Sequence, residues 1–221
     1  MWSQTGALSF ARPKAQVRTL LDEATTEQLE RFAGVLATDG VARGLIGPRE
    51  VDRLWDRHLL NCAVAVDAVP RETSVIDVGS GAGLPGLVWA IVRPDLLVTC
   101  VEPLLRRATF LTEVVERLNL TDRVQVRRGR AEELSGDLQA PVVTARAVAP
   151  LDKLVSWTMP LVVPGGELLA LKGAGAEQEV TDARAAIARW GGEQVEISEW
   201  GSGIVNPPTR VVRIKKSATW R

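Results

Sequence analysis

The stretch from residue 75 to residue 86 constrains the fold of this chain more than any other. It begins with a short apolar, β-branched run that carries Asp77 and continues into a loop with a glycine at every second position, Gly79, Gly81 and Gly83. Glycine has no Cβ and tolerates positive φ angles, so a ligand can lie directly against the peptide groups of such a loop. The start of a following helix offers unpaired N–H groups to polar or anionic atoms. We therefore predict a buried parallel strand that leads through a cofactor-binding loop into a helix.

Two classes of cofactor fit this loop. The dinucleotide-binding fingerprint Gly-x-Gly-x-x-Gly is formally matched from Gly81 to Gly86, but Pro85 then falls where the helix begins and Asp77 has no role. The acidic-x-Gly-x-Gly-x-Gly loop of S-adenosylmethionine (SAM) methyltransferases fits without a mismatch and puts Asp77 near the ammonium end of the cofactor. In this interpretation Pro85 lies in the first helical turn, where its missing N–H costs nothing. The loop alone leaves both classes open.

The composition is that of an ordinary globular chain of one domain with a possible extension: 221 residues, 46% hydrophobic and 24% charged. Basic and acidic residues number 27 each, so an anionic partner must be met by a local patch and not by a global field. Cys62 and Cys100 lie in unrelated segments, which predicts buried free thiols in a reducing compartment. The first residues contain no apolar run typical of a signal peptide or membrane span. We expect a cytoplasmic protein without a membrane partner.

The chain changes character near residue 70. Apolar residues recur at three- and four-residue steps between residues 25 and 69, which predicts helices, with Pro48 in the first turn of the second one. From residue 74 onward, short apolar runs alternate with helical segments. We therefore predict an N-terminal helical extension over residues 1–70 and one compact methyltransferase domain over residues 71–221.

The second part of the chain predicts an α/β fold. Its apolar runs are continuous and not alternating, which is typical of parallel strands covered on both faces. Little more than a turn separates the last two runs, so the last strand is expected to be antiparallel. This is a Rossmann-like, class I SAM methyltransferase sheet of seven mostly parallel strands, whereas a nicotinamide domain would have six parallel ones. The predicted strands are 75–78, 97–101, 124–126, 142–145, 167–171, 194–198 and 210–214, and the predicted helices are 87–92, 106–118, 153–161 and 177–189.

Two groups of residues after the next strands suggest a nucleoside site, because ligands of such sheets lie at the carboxyl ends of the strands. Glu102 ends the second strand roughly twenty residues beyond the loop, where an acidic residue can bind two ribose hydroxyls. This feature supports NAD and SAM alike. Ala131 and Glu132 follow the third strand, where a backbone N–H and a carboxylate can bind an adenine edge. The alternative for this pair is a helix N-terminus enriched in acids.

Three basic residues are candidates for the reacting centre. Arg146 ends the fourth strand, and its planar fork suits the carboxylate of a cofactor, a phosphate, or O6 and N7 of guanine. The alternative is a surface ion pair with Asp152. Lys172 ends the fifth strand at the same edge of the sheet, and functional and structural roles are equally compatible with it. His58, the only histidine, lies on an apolar helical face where a packed, hydrogen-bonded role is equally typical. One histidine and two scattered cysteines predict no metal site.

The segment Asn206-Pro207-Pro208-Thr209 is similar to the Asn-Pro-Pro-aromatic motif of amino-group methyltransferases. It precedes the last predicted strand instead of following the fourth, and the aromatic residue is missing. We predict a rigid turn between the two closing strands.

Taken in order, these residues resemble the GidB/RsmG family of bacterial 16S ribosomal RNA guanine-N7 methyltransferases. The resemblance rests on Asp56-Arg57-His58-Leu59-Leu60-Asn61 and on the glycine loop with its unusual Leu-Pro-Gly ending. Shorter matches occur at residues 92–94, 107, 110–111, 130–133, 145–147 and 170–173. The family often has Asn-Leu-Thr where this chain has Gly44-Leu45-Ile46, and Ser where it has Ala145. The polar side chains of those family residues therefore have no role in this chain.

The resemblance implies SAM as cofactor, bound at Gly79, Leu84, Ala131, Glu132 and Arg146, and methylation of a guanine at N7 in the 530 loop of 16S rRNA of the small ribosomal subunit. To the cofactor site we add Asp77, Gly81, Gly83 and Glu102, and as catalytic candidates we take Arg146, Lys172 and His58. We expect a monomer without a metal. The alternatives are SAM-dependent methylation of another RNA site or of a small molecule, and an NAD-dependent oxidoreductase.

The chemistry of N7 agrees with this interpretation. N7 of guanine already carries an in-plane lone pair, whereas methylation of carbon needs a covalent cysteine and methylation of an exocyclic amine benefits from a proton acceptor. The sequence displays neither device, so catalysis would be mainly alignment. Two basic runs can contact RNA phosphates, with solvated strand ends as the alternative. They are Arg123, Arg127, Arg128 and Arg130, and the tail Arg210, Arg213, Lys215, Lys216 and Arg221.

Overall fold

A seven-stranded sheet organises the computed structural model, which describes residues 21–220. The strands are β1 (Ser74–Val78), β2 (Leu97–Glu102), β3 (Val124–Arg128), β4 (Ala140–Arg146), β5 (Val162–Lys172), β6 (Gly192–Trp200) and β7 (Thr209–Lys216). Their order is β3-β2-β1-β4-β5-β7-β6, and β7 lies antiparallel to both of its neighbours while the other pairs are parallel. The predicted α/β class, strand number and reversed last strand are confirmed. The strand order changes direction between β1 and β4, which is where open α/β sheets bind ligands.

Helices cover both faces of the sheet. They are α1 (Glu23–Val35), α2 (Leu60–Ala65), α3 (Gly86–Val92), α4 (Leu105–Arg117), α5 (Ala131–Leu134), α6 (Leu151–Thr158) and α7 (Ala176–Arg189). Alternate residues of β5 illustrate why the central strands are apolar: Leu169 packs with α1 to α4 on one face, and Leu168 packs with α6 and α7 on the other. Both faces bury apolar surface, and this burial is the main stabilising contribution to such a fold.

The N-terminal helical segment is less regular than its periodicity predicts. After α1 the chain forms a π-helical turn over Leu36–Gly40, and a 3-10 helix (Pro48–Arg53), a π-helical segment (Leu54–Leu59) and α2 then follow each other. Pro48 begins the 3-10 helix, as predicted, because a proline in the first turn removes no hydrogen bond. Residues 1–20 of the predicted extension lie outside the described residues, and its boundary at residue 70 stays a prediction.

This segment is fixed against the sheet by buried contacts. Trp89 of α3 is completely buried, and its indole N–H donates to the carbonyl of Cys62 at 2.8 Å. Cys62 and Cys100 are free and buried, as predicted. The contact holds the π-helical segment and α2 beside the carboxyl ends of β1 and β4, where Arg146 is located.

Two local predictions were wrong. Helix α3 begins at Gly86 with Pro85 as its N-cap, so Pro85 precedes the first turn instead of lying in it. The connection between β6 and β7, residues 201–208, is longer than the predicted turn. Both strands pair over their full facing lengths, and the loop leaves the sheet only beyond that pairing. Between residues 21 and 220, no helix is long and apolar enough to span a membrane.

Candidate active site

The glycine loop is shaped by positive φ angles and close contacts. Gly79, Gly81 and Gly83 have φ angles of +69°, +55° and +93°. A Cβ on Gly79 would lie 2.7 Å from Cγ2 of Val148, and one on Gly83 would lie 2.5 Å from Cδ1 of Leu87. At Gly81 the nearest atom to such a Cβ is 3.7 Å away, so this glycine is free on its outer side. The loop therefore packs closely on the protein at two glycines and stays open at the one between them.

Asp77 is buried behind this loop. Its Oδ2 accepts the Gly86 backbone N–H at 3.0 Å, whereas its Oδ1 has no partner among the described residues. Burial raises the pKa of Asp77 to about 6, against the lowering effect of the Gly86 hydrogen bond. A buried carboxylate oxygen without a partner is costly. The site therefore favours a cationic donor at this position, such as the ammonium group of SAM.

Glu102 ends β2 and joins the loop to the next segment. It is only 2% exposed; Oε2 accepts the Gly81 N–H and Oε1 accepts the Leu104 N–H, both at 3.0 Å. Its carboxylate thus holds the glycine loop in shape. Each oxygen has a second lone pair, so this role is compatible with the predicted binding of ribose hydroxyls.

Replacing Glu102 tests this double role. In Glu102→Gln one carboxylate oxygen becomes an NH₂ group that faces a backbone N–H, so one loop hydrogen bond is lost. We expect unfolding to become easier by about 1–3 kcal/mol and SAM to bind more weakly. The measurements are urea unfolding and titration calorimetry, with Glu116→Gln on the exposed face of α4 as the matched control. Equal SAM affinity in the two variants would contradict a role for Glu102 in the site.

A smaller pocket of about 330 Å³ adjoins the end of β3. Its lining residues are Pro103, Leu104, Arg128, Gly129, Arg130 and Glu133. Ala131 begins α5, and the carboxylate that accepts the Arg130 backbone N–H at 3.1 Å belongs to Glu133, while Glu132 is exposed. The acid-capped helix start is therefore present, and the binding of an adenine edge by Ala131 and Glu132 stays a prediction.

A cleft of about 1220 Å³ lies at the carboxyl ends of β4 and β5. Its walls come from the π-helical segment, residues 146–150, residues 171–174 and the loop before β7. Arg146 extends along this wall: Nη2 lies 2.5 Å from Nδ1 of His58, and Nη1 donates to the His58 carbonyl at 3.3 Å and to Sγ of Cys62 at 3.0 Å. The alternative ion pair with Asp152 is absent from the described contacts of Arg146.

His58 is therefore packed and hydrogen-bonded, and it contacts the arginine in the cleft wall. Its Nε2 lies 3.0 Å from Oε2 of Glu50, a residue that sequence reasoning missed because nothing in its spacing connects it to the fourth strand. Burial lowers the pKa of His58, and the nearby Arg146 charge lowers it further, against the raising effect of Glu50. The lowered pKa favours the neutral imidazole at pH 7.

Lys172 lies in the cleft wall but its charge is already compensated. Its Nζ donates to the Ala149 carbonyl at 2.8 Å and to Oε2 of Glu179 at 2.7 Å. Glu179 also accepts the Leu151 N–H at 2.9 Å, so Lys172 links β5, the loop before α6, and α7. These contacts favour the structural role, and a catalytic role for Lys172 stays a prediction.

Asn206, Pro207 and Pro208 lie in the loop before β7, Thr209 begins that strand, and all four line the cleft. Thr209 donates its hydroxyl to Oδ1 of Asn61 at 2.8 Å, which ties the start of β7 to α2. Ala147 lines the same cleft with a φ angle of +56°, unusual for a residue other than glycine. No sequence signal identified either wall.

The two basic runs differ in availability. In the tail, Arg210 pairs with Glu199 and Glu177, Arg213 pairs with Glu167, and Lys216 is buried against two carbonyls. Arg221 lies outside the described residues. In the first run, Arg123 donates to a carbonyl, whereas Arg128 and Arg130 are exposed beside the smaller pocket. Lys215 is the exposed cation of the tail, so the first run offers more exposed cations for phosphate contacts.

Comparison with known proteins identifies the family. The family described as rRNA small subunit methyltransferase G, GidB, matches residues 25–206. The chain belongs to the GidB family. A ribosomal RNA small subunit methyltransferase G from Salinispora tropica is 57% identical over 191 residues, covering 84% of this chain and 79% of the relative. One from Streptomyces coelicolor is 60% identical over 186 residues, covering 84% and 77%.

Solved structures support the same fold. An O-methyltransferase family protein from Burkholderia thailandensis superposes with a TM-score of 0.59 at 17% identity, covering 87% of this GidB-family chain and 64% of that chain. The class I SAM methyltransferase fold is thereby confirmed. Within residues 21–220, no group of three or more His, Cys, Asp or Glu side chains is arranged to hold a metal ion.

Proposed function

We propose that this chain uses SAM to methylate N7 of a guanine in the 530 loop of 16S rRNA in the small ribosomal subunit, acting as a cytoplasmic monomer. The cofactor assignment rests on the buried Asp77 carboxylate directly behind the glycine loop. Its Oδ1 has no hydrogen-bond partner among the described residues. Membership of the GidB family supports small-subunit rRNA as the substrate.

The residues present fit SAM. Asp77 would satisfy its ammonium group, Glu102 its ribose hydroxyls, and the Ala131–Glu132 segment its adenine, with Gly79, Gly81, Gly83 and Leu84 leaving the loop backbone accessible. Arg146 would bind either the cofactor carboxylate or guanine O6. When bound, SAM supplies an electrophilic methyl group.

The chain has little proton chemistry to perform at N7, because that nitrogen carries a free lone pair. The task of the cleft is to orient the base, which can contribute several kcal/mol to the barrier by alignment alone. A volume of about 1220 Å³ accommodates a nucleotide unstacked from its loop. Methylation leaves a positive charge on the ring, and the cleft carboxylates Glu179 and Glu199 are already paired with Lys172 and Arg210.

Transfer of labelled methyl groups tests this function. The full chain is incubated with methyl-labelled SAM and small ribosomal subunits that lack their own N7 methylation, and label in 16S rRNA is counted. We expect stoichiometric labelling of the subunit and titratable binding of SAM, with NAD failing to compete. Binding of NAD in preference to SAM, or SAM binding with no transfer to subunits or to naked 16S rRNA, would contradict the proposal.

A further inference from the structure

Three side chains from separate parts of the chain are hydrogen-bonded in series beside the cleft. Glu50 lies on the 3-10 helix, His58 on the π-helical segment and Arg146 at the end of β4. The Glu50 Oε2 to His58 Nε2 distance is 3.0 Å, and the His58 Nδ1 to Arg146 Nη2 distance is 2.5 Å. The imidazole thus lies between a carboxylate and a guanidinium group.

The hydrogen-bonding capacities of these groups assign the tautomer of the ring. A guanidinium group has only donors, so Nδ1 of His58 must accept from Arg146 and carry no proton. The proton of the neutral ring is then on Nε2, where it is donated to the Glu50 carboxylate. A carboxylate at Nε2 selects the tautomer whose other nitrogen can accept from Arg146.

The other charged groups near the His58 ring do not take the place of Glu50 or Arg146 as its hydrogen-bond partners. Nη1 of Arg57 lies 3.3 Å from Oε1 and 3.5 Å from Oε2 of Glu50. Arg146 also donates to the thiol of Cys62 and interacts with the charge of Asp77. Within the described residues, no carboxylate forms an ion pair with Arg146. The ring nitrogen, one carbonyl and one thiol are therefore the acceptors that orient its fork.

We infer that Glu50 is a positioning residue for the methyl-transfer reaction: it holds His58 in the Nε2–H tautomer, and Nδ1 of His58 holds Arg146 in the wall of the cleft. The inference rests on the proposed function, in which Arg146 contacts the cofactor or the guanine. Glu50 itself contacts neither.

The single histidine allows a direct test by NMR of the full chain labelled with ¹⁵N-histidine. Wild type should give one ring with the proton on Nε2. Glu50→Ala should give a mixture of tautomers and a lower pKa of His58, because a hydrogen bond and a charge that raise this pKa are removed. Arg146→Ala should raise the same pKa. Glu50→Gln, whose amide oxygen still accepts from Nε2–H, should keep the wild-type tautomer.

Kinetics then separate positioning from a merely structural effect. Glu50→Ala should reduce kcat/KM about tenfold, as expected for one lost hydrogen bond to a charged network. If Arg146→Ala changes mainly kcat, Glu50→Ala should also change mainly kcat, and the same holds for KM. The double variant Glu50→Ala, Arg146→Ala should be no slower than Arg146→Ala alone. Glu50→Gln should recover most of the activity. Asp52→Ala, which removes an exposed carboxylate on the same 3-10 helix, is the control.

Additive effects of Glu50→Ala and Arg146→Ala, or a wild-type tautomer in Glu50→Ala, would overturn the inference. The ring measurement requires no activity. If the wild type methylates the subunit but Glu50→Ala leaves the ring tautomer unchanged, only the inference fails. If Glu50 controls the tautomer but no methyl group is transferred, only the proposed function fails.

Discussion

An Asp77→Asn variant is expected to bind SAM about 10- to 100-fold more weakly than wild type, because a charge-assisted hydrogen bond to the ammonium group is lost. The amide oxygen of asparagine still accepts from the Gly86 N–H, so the start of α3 is retained. Titration calorimetry of the two proteins measures the difference. Equal affinities would contradict the assignment of Asp77 to the cofactor site.

The same substitution should remove one component of the pH dependence of stability. Since the pKa of Asp77 rises from 3.8 when unfolded to about 6 when folded, the folded state keeps this proton to higher pH. The stability that this bound proton contributes is complete below the unfolded pKa and is lost as pH rises through about 6. The loss in the free energy of unfolding amounts to about 3 kcal/mol. Asp77→Asn has no carboxyl group to ionise, so its stability does not fall in this way. Relative to wild type, it should therefore gain stability between about pH 4 and about pH 7.

Urea unfolding of both proteins across this range gives the difference directly. Asp95→Asn is the control: Arg93 lowers the pKa of Asp95 below its unfolded value of 3.8, so its contribution to stability is lost only below about pH 4 and should stay nearly constant across this range. If the stability difference between Asp77→Asn and wild type did not change with pH, the carboxylate would not be buried as described.

The second large effect is expected at Arg146. Arg146→Ala should reduce kcat/KM for the small subunit roughly 100-fold, as expected for removing a charged, forked donor from the reacting centre. Arg146→Lys should recover little, because a single ammonium cannot reproduce the contacts to His58 and Cys62. Lys153→Ala, an exposed cation on α6, is the matched control. Unchanged turnover and SAM affinity in Arg146→Ala would show that Arg146 has no role in binding or catalysis.

The fold was largely predictable because its signals are local. The central runs are buried on both faces, so β1 and β5 are visible as continuous runs, and a connection too short for a crossover helix indicates the reversal at β7. The glycine loop was predictable for the same reason, since the φ angles of Gly79, Gly81 and Gly83 require glycine within one short segment.

The contacts within the site were not predictable because they join distant residues. His58 and Arg146 were separate candidates, and only folding brings Nδ1 and Nη2 together. Glu50 carried no signal, because a single glutamate near a helix start is typical of solvated surfaces. Lys172 was compatible with either role until its contact with Glu179 was visible.

The position of the transferred methyl group tests the central claim most directly. After transfer from labelled SAM to unmethylated small subunits, the 16S rRNA is cleaved to nucleosides and the labelled nucleotide is mapped. The proposed function predicts label on one guanine of the 530 loop, recovered as N7-methylguanine. Label on an exocyclic amine, on a carbon, or spread over many guanines would contradict it.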